Sequence, residues 1–204
     1  MKLIWHGHSC FAVETDGGTA VFDPYIDGMV PGLAPLRLTA DAVFCSHGHD
    51  DHNAVDKVTL TGRTPGFSIE TVPSFHDSRL GLQRGKNTIH ILSAEGMRVV
   101  HLGDLGHRLK GAALEKLRGA DALLIPVGGF FTIDAPTAKE VADAIGARVV
   151  IPMHYRLGDM GFPQIGELSA FTDLCGDVRT YDTNELELTA DTPAQTAVLR
   201  YVHG

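Results

Sequence analysis

Seven consecutive residues, Ser46-His47-Gly48-His49-Asp50-Asp51-His52, bring three imidazoles and two carboxylates together. Neutral imidazole offers a nitrogen lone pair near neutral pH, and a carboxylate adds negative charge, so a cation is the natural partner of such a cluster. Without one, burying these groups would leave their desolvation uncompensated. A solvated histidine-rich turn is the competing reading, and further donors downstream weigh against it. His76 in Pro73-Ser74-Phe75-His76-Asp77, Asp104 in His101-Leu102-Gly103-Asp104 and His154 in Ile151-Pro152-Met153-His154-Tyr155 each follow an apolar run. Singly, such a residue is more often an ordinary hydrogen-bonded group; their recurrence beside the cluster carries the argument. Counted together, His47, His49 and His76 would give one ion three imidazoles. Asp51, His52 and His154 would serve a second, and Asp104 could bridge the two. That count leaves positions open for water, as a catalytic centre needs and a structural one does not.

These donors need strands to carry them. Ala42-Val43-Phe44-Cys45 reads as a buried strand that stops where the histidines begin, and a strand end is a rigid place from which to present ligands. Upstream, residues 2–6, 10–15 and 19–23 read as strands, with Asp16-Gly17-Gly18 as a hairpin turn and 27–38 as a Gly/Pro-rich loop. Asn53 is a candidate cap for a short helix. Further strands are expected at 66–73, 88–93 and 97–102, with a turn at Glu95-Gly96. Then the pattern alternates: helix 109–117, strand 122–125, helix 136–145 with Pro in its first turn and Gly146 beyond its end, strand 148–151, helix 165–174. Strands at 178–181, 185–188 and 197–202 close the chain. This order predicts an α/β protein of two packed sheets with helices outside.

At 204 residues the chain suits one domain, 1–204, with one sizeable core. No apolar run approaches the roughly 18 residues of a membrane-spanning helix, and the polar N-terminal residues do not read as a signal peptide. Cys10, Cys45 and Cys175 show no CxxC spacing and read as reduced thiols of a cytoplasmic protein. A net charge of −8 without a Lys/Arg run argues against phosphate-neutralising nucleic-acid binding, so no nucleic-acid partner is expected. Oligomeric state is not legible.

On these residues the chain resembles the metallo-β-lactamase-fold hydrolases. The HxHxDH signature is met by His47, His49, Asp51 and His52, and later family positions by His76, Asp104 and His154, in order. The opening Trp5-His6-Gly7-His8-Ser9-Cys10-Phe11 and the strand end Phe22-Asp23-Pro24 resemble a small, uncharacterised subgroup, related to ascorbate-6-phosphate lactonase-like and N-acylphosphatidylethanolamine phospholipase-like enzymes. The resemblance implies a four-layer αββα sandwich of two mixed β-sheets with outer helices. It implies two divalent ions at one sheet edge, zinc first, with manganese or iron as alternatives. The nuclease cap, the flavin domain and the glutathione-binding extension of other relatives have no counterpart in the chain.

The implied chemistry is hydrolysis of a small ester, lactone or phosphodiester by a metal-bridging hydroxide, with Asp51 and Asp104 at its centre. Asp23 is expected to orient a ligand imidazole, although a strand-end turn explains it equally well. His107 is a candidate proton donor to the leaving group, or a surface residue. His8, Arg79 and Arg84 are candidate substrate contacts, the arginines for an anionic group, with a solvated loop charge the commoner fate of any one of them. Phe130, Phe131, Met160 and Phe162 could form an apolar wall or core, and Asp134 is read as a helix cap. The alternatives are a metal-binding or sensor domain with little turnover, or a nuclease. Periplasmic β-lactam hydrolysis fits poorly with the lack of a signal peptide.

Overall fold

Alternation along the first strands decides which sheet face meets the core. In β1 (Lys2–Trp5), β2 (Phe11–Thr15) and β3 (Gly18–Phe22), residues Leu3, Trp5, Phe11, Val13, Ala20 and Phe22 face the main core, while Ile4, Ala12 and Val21 face a second, smaller one. The β2–β3 hairpin closes through Asp16-Gly17, with Thr15 opposite Gly18. The computed structural model describes residues 1–202.

The remaining elements are β4 (Leu38–Ala40), β5 (Ala42–Phe44), β6 (Val58–Leu60), β7 (Ser68–Phe75), β8 (Lys86–Ala94), β9 (Met97–His101), α1 (Gly111–Leu117), β10 (Ala122–Pro126), α2 (Ala135–Ile145), β11 (Val149–Met153), α3 (Ser169–Thr172), β12 (Val178–Thr180), β13 (Glu185–Glu187) and β14 (Gln195–Val198). One mixed sheet has the order β13-β1-β2-β3-β5 and the other β12-β14-β11-β10-β9-β8-β7. They enclose a core built on Trp5, Phe11, Phe22, Ile89, Ile91, Leu102 and Leu124, each nearly or wholly buried. Burial of each such side chain contributes about 1.5–3 kcal/mol.

Strand directions create the functional edge. β1 and β3 are each antiparallel to β2, and β5 is parallel to β3, so β1, β3 and β5 all end on one side. In the other sheet β7 and β9 flank β8 antiparallel, and β9, β10 and β11 are mutually parallel, so β7, β9 and β11 also share a side. Every candidate ligand lies just beyond the C-terminal end of one of these strands, where sheets of this kind place their sites.

The two-sheet α/β sandwich is the expected one, with uneven helical cover. The helices pack on one another and on the seven-stranded sheet. The five-stranded sheet is covered by the 24–37 loop, the short parallel ribbon β4–β6 and a 3₁₀ turn at Val55–Lys57, through Tyr25, Val30, Leu36, Ala40 and Val58. Two local expectations are corrected. Asn53 caps nothing, because the 3₁₀ turn starts from Ala54 without a side-chain cap. The helix expected over 165–174 shrinks to Ser169–Thr172, because the amides of Gly166 and Leu168 bond the carbonyls of Gly128 and Arg156 instead. The helix read over 136–145 forms as Ala135–Ile145, with Thr137 N donating to the Asp134 side chain and Gly146 closing it at φ 66°.

Candidate metal centre

Six strand ends build the centre. At the end of β3, Asp23 is wholly buried, and its carboxylate accepts from the Ser46 amide (2.6 Å), the Ser46 hydroxyl (2.6 Å) and His52 Nδ1 (2.8 Å). The Ser46 hydroxyl, having donated to Asp23, accepts from His47 Nδ1 at 2.9 Å. One carboxylate thereby sets the tautomer of two imidazoles, leaving the Nε2 lone pairs of His52 and His47 free to face inward.

Asp104 follows β9, and its amide donates to Asn87 Oδ1 at 2.9 Å. Asn87 is held in turn by the Ser74 hydroxyl (2.7 Å) and the Leu102 carbonyl (2.9 Å). The preceding Gly103 has φ 55° and lies so close to Asn87 and Ser46 that a Cβ would overlap both. His76 follows β7, and its amide bonds the Gly85 carbonyl at 3.1 Å. His154 follows β11 in the left-handed region (φ 54°), with its amide on the His8 carbonyl at 3.3 Å.

Asp104 is the meeting point of these side chains. Its Oδ2 lies 3.2 Å from His76 Nε2, 3.2 Å from His154 Nε2 and 4.0 Å from His47 Nε2, while Oδ1 lies 3.2 Å from His52 Nε2. Asp51 Oδ2 is 3.5 Å from His52 Nε2 and 3.3 Å from His8 Nε2. Donor atoms of His47, His49 and His76 form one group within 4.8 Å, and those of His8, Asp51, His52 and His154 another. Bonds of about 2.0–2.2 Å to a tetrahedral zinc ion would set neighbouring donors about 3.3 Å apart, close to the observed spacings.

The orphaned atoms test whether cations fit. His47 Nε2, His52 Nε2, His154 Nε2 and Asp104 Oδ1 are buried with no hydrogen-bond partner. Each such atom costs about 1–3 kcal/mol unless something takes its lone pair, and all four face the same small volume. The charges agree. Burial pushes the Asp104 carboxyl up, but His154 and His52 outweigh it and hold it well below the usual range. Burial likewise opposes charge on His52, yet Asp104 and Asp23 raise it well above an ordinary histidine. Burial and then His52 lower His47 to about 3. In Asp23, burial acts upward and is outweighed by His52, His101 and the hydrogen bonds, giving about 2. The Asp104 carboxylate at the centre is thus ionised, His47 turns a neutral Nε2 toward it, and a divalent cation would take the place of the proton that the carboxylates hold on His52, a donor set suited to divalent metal ions.

Residues 2–154 match the beta-lactamase superfamily domain. The chain belongs to that family. A UPF0173 metal-dependent hydrolase of Carboxydothermus hydrogenoformans is 28% identical over 82% of this chain and 90% of its own, and one of Thermoplasma acidophilum 26% identical over 89% and 93%. Among solved structures, a Thermotoga maritima protein described as a Zn-dependent hydrolase of the metallo-β-lactamase superfamily is 37% identical, with 97% of both chains covered and a TM-score of 0.76. Igni18, a metallo hydrolase of Ignicoccus hospitalis, is 25% identical over 81% of this chain and 85% of that one, with a TM-score of 0.60. The chain is a metal-dependent hydrolase with the metallo-β-lactamase fold.

For this hydrolase the remaining sequence-predicted residues divide. A cavity of about 520 Å³ opens beside Asp104, lined by His49, Asp51, His76 and Arg84 and walled by Met29, Phe131 and Phe162. Arg84 lies over the Phe131 ring, 5.7 Å from its centroid. Arg79 is exposed on the same loop and does not line the cavity. His107 is not brought to the cavity either. Its Nε2 accepts from the Phe75 amide (3.3 Å), its Nδ1 donates to the Arg108 carbonyl (2.9 Å), and it lines a neighbouring cleft. Phe130 is exposed beside that cleft and Met160 belongs to the core. Sequence reasoning missed Ser46, Asn87 and Met29. The immediate neighbourhood of Ser46 to His47 was the one available signal; nothing local marks the other two.

Proposed function

We propose that this hydrolase works with two divalent ions, zinc first and manganese or iron as alternatives, and cleaves a small ester, lactone or phosphodiester. The observation that carries the reading is the set of buried, unpartnered donor atoms around Asp104 beside an open cavity. His47, His49 and His76 would hold one ion, Asp51, His52 and His154 the other, and Asp104 both. Bound there, such ions lower the pKa of water and stabilise developing negative charge on the substrate oxygen. The chain's own residues do the rest. Asp23 and Ser46 keep His52 and His47 in the tautomers that face inward. Met29, Phe131 and Phe162 exclude water from one side, and Arg84 is placed to orient an anionic group of the substrate. Of the cavity-lining residues only Arg84 carries a fixed positive charge, which suits a small anionic molecule better than a nucleic-acid backbone. With ligands drawn from both sheets, we read residues 1–204 as one catalytic domain. The three free thiols fit a cytoplasmic setting.

Elemental analysis of the purified protein, paired with lactone, ester and phosphodiester panels, tests the reading. Wild type is expected to hold about two metals per chain and turn over one panel. In Asp104→Ala, turnover should fall by roughly 10³-fold or more, because charge stabilisation of several kcal/mol is withdrawn. A wild type that still holds fewer than two metals after reconstitution would sink the binuclear reading.

A further inference from the structure

His8 enters the centre from a different place than the other ligands, the turn between β1 and β2. Its side chain is wholly buried and does not line the cavity, so a substrate in the cavity cannot reach it. Its Nδ1 has no partner, and the ring's one polar engagement is Nε2, 3.3 Å from Asp51 Oδ2. The ring centroid lies 4.1 Å from that of His154 and 5.3 Å from that of His52, and Phe162 closes the corner edge-on at 5.5 Å.

The backbone around His8 is costly. It sits at φ 49°, where a residue with a side chain is strained by about 1–3 kcal/mol. Two hydrogen bonds to its carbonyl hold that geometry, from Trp5 Nε1 (3.0 Å) and from the His154 amide (3.3 Å). The two strained histidines are thus tied backbone to backbone, with both rings directed at Asp51 and Asp104.

We propose that His8 Nε2 is a protein ligand of the second metal ion, joining Asp51, His52 and His154. This rests on the binuclear reading above. Asp51 Oδ2 stands 3.3 Å from His8 Nε2 and 3.5 Å from His52 Nε2, spacings that two donors of one ion adopt. The centre is then asymmetric. The second ion then has three buried imidazoles and, of its own donors, reaches the cavity through Asp51 alone, and the exchangeable position belongs to the first, on the side where exposed His49 lines the cavity.

Cobalt(II) titration of metal-stripped protein, followed by proton NMR of the loaded form, tests this. Wild type should take two equivalents and show contact-shifted His8 ring resonances, identified by their loss in His8→Phe. In that variant the second equivalent should bind at least about tenfold more weakly while the first is unchanged. His8→Gln separates ligation from mere support of Asp51, since its amide N–H can still donate to Asp51 but supplies no imidazole. Recovery of second-site affinity in His8→Gln to within about twofold of wild type would overturn the proposal, as would a wild-type His8 ring with no contact shift. Both leave the binuclear reading standing. Wild type that takes fewer than two equivalents overturns both. If His8→Phe does not fold, His8→Gln, which also lacks the imidazole, identifies the same resonances by their loss.

Discussion

One buried carboxylate, that of Asp23, governs two imidazoles through three short hydrogen bonds without itself belonging to either donor group. Asp23→Asn would replace one accepting oxygen with a donor and disturb the tautomers of His52 and, through Ser46, His47. Metal affinity should fall about 10–100-fold with the fold retained, read by competition with a chromogenic chelator. Gly103→Ala attacks the same centre sterically. Its methyl group would meet Asn87 and Ser46 in a left-handed backbone, so a loss of about 1–3 kcal/mol is expected in a denaturant titration, together with lowered metal content. At this scale the sequence is uneven. The donors of the HxHxDH run are legible because they are adjacent and chemically specific. Ser46 and Asn87 are ordinary residue types whose roles arise only when β3, β5 and β9 end beside the start of β8. His107 shows the same limit: three residues after Asp104 is close in the chain, yet of its two expected roles the sequence could not choose, and the turn directs its ring to the Phe75 amide.

Between His76 and Gly85 the element that matters is a loop wrapped around one side chain. Asp77 accepts from the amides of Arg79 (2.7 Å), Gly81 (3.0 Å), Gln83 (3.0 Å) and Arg84 (2.8 Å). Burial pushes its carboxyl up, but these amides, Arg84 first, outweigh it and bring it to about 2. A depressed carboxyl stabilises the loop above its unfolded value of about 3.9 and loses that contribution as pH falls toward the folded value. Exchange protection of those four amides should hold down to about pH 4 and vanish as the pH drops toward 2. In Asp77→Ala it should be lost at neutral pH, with KM for an anionic substrate raised as Arg84 is released. Hydrogen exchange by NMR reads the first effect and steady-state kinetics the second. Sequence signals worked best for elements with punctuation. The helix over 135–145 has Asp134, Pro136 and Gly146 at its ends, whereas residues 165–168 carry helical spacing but Gly166 and Leu168 spend their amides on the distant carbonyls of Gly128 and Arg156. The three-residue strands β4 and β6 are too short for any periodicity to register.

Across the whole molecule, the donors divide between the layers. His8, His47, His49, Asp51 and His52 hang from the five-stranded sheet, and His76, Asp104 and His154 from the seven-stranded one. Metal bound by them would therefore tie the sheets together and stabilise the native state by mass action, about 2.7 kcal/mol for each ion held at a hundred times its Kd. For a chain of this size that is roughly 5–10 °C of Tm per ion. Chelation should lower Tm by that amount in calorimetry, and zinc should restore it; an unchanged Tm would mean that the sheets do not depend on the ions. The two-sheet architecture was legible because alternation in β1 to β3 marks two apolar faces. The loop covering of the five-stranded sheet was not, since Tyr25, Val30 and Leu36 are scattered without a period.

The same division cuts the chain almost cleanly in sequence. The donors of the first sheet all precede residue 53, those of the second all follow residue 75, and the stretch 59–64 between them is exposed. Severed there, the two pieces would each carry an incomplete set of donors, yet β13 of the later piece would still pair with β1 of the earlier. Divided there, the protein would be a two-part lock. Zinc would serve as the signal that the pieces have found each other, and a reporter of molecular proximity could be built on it.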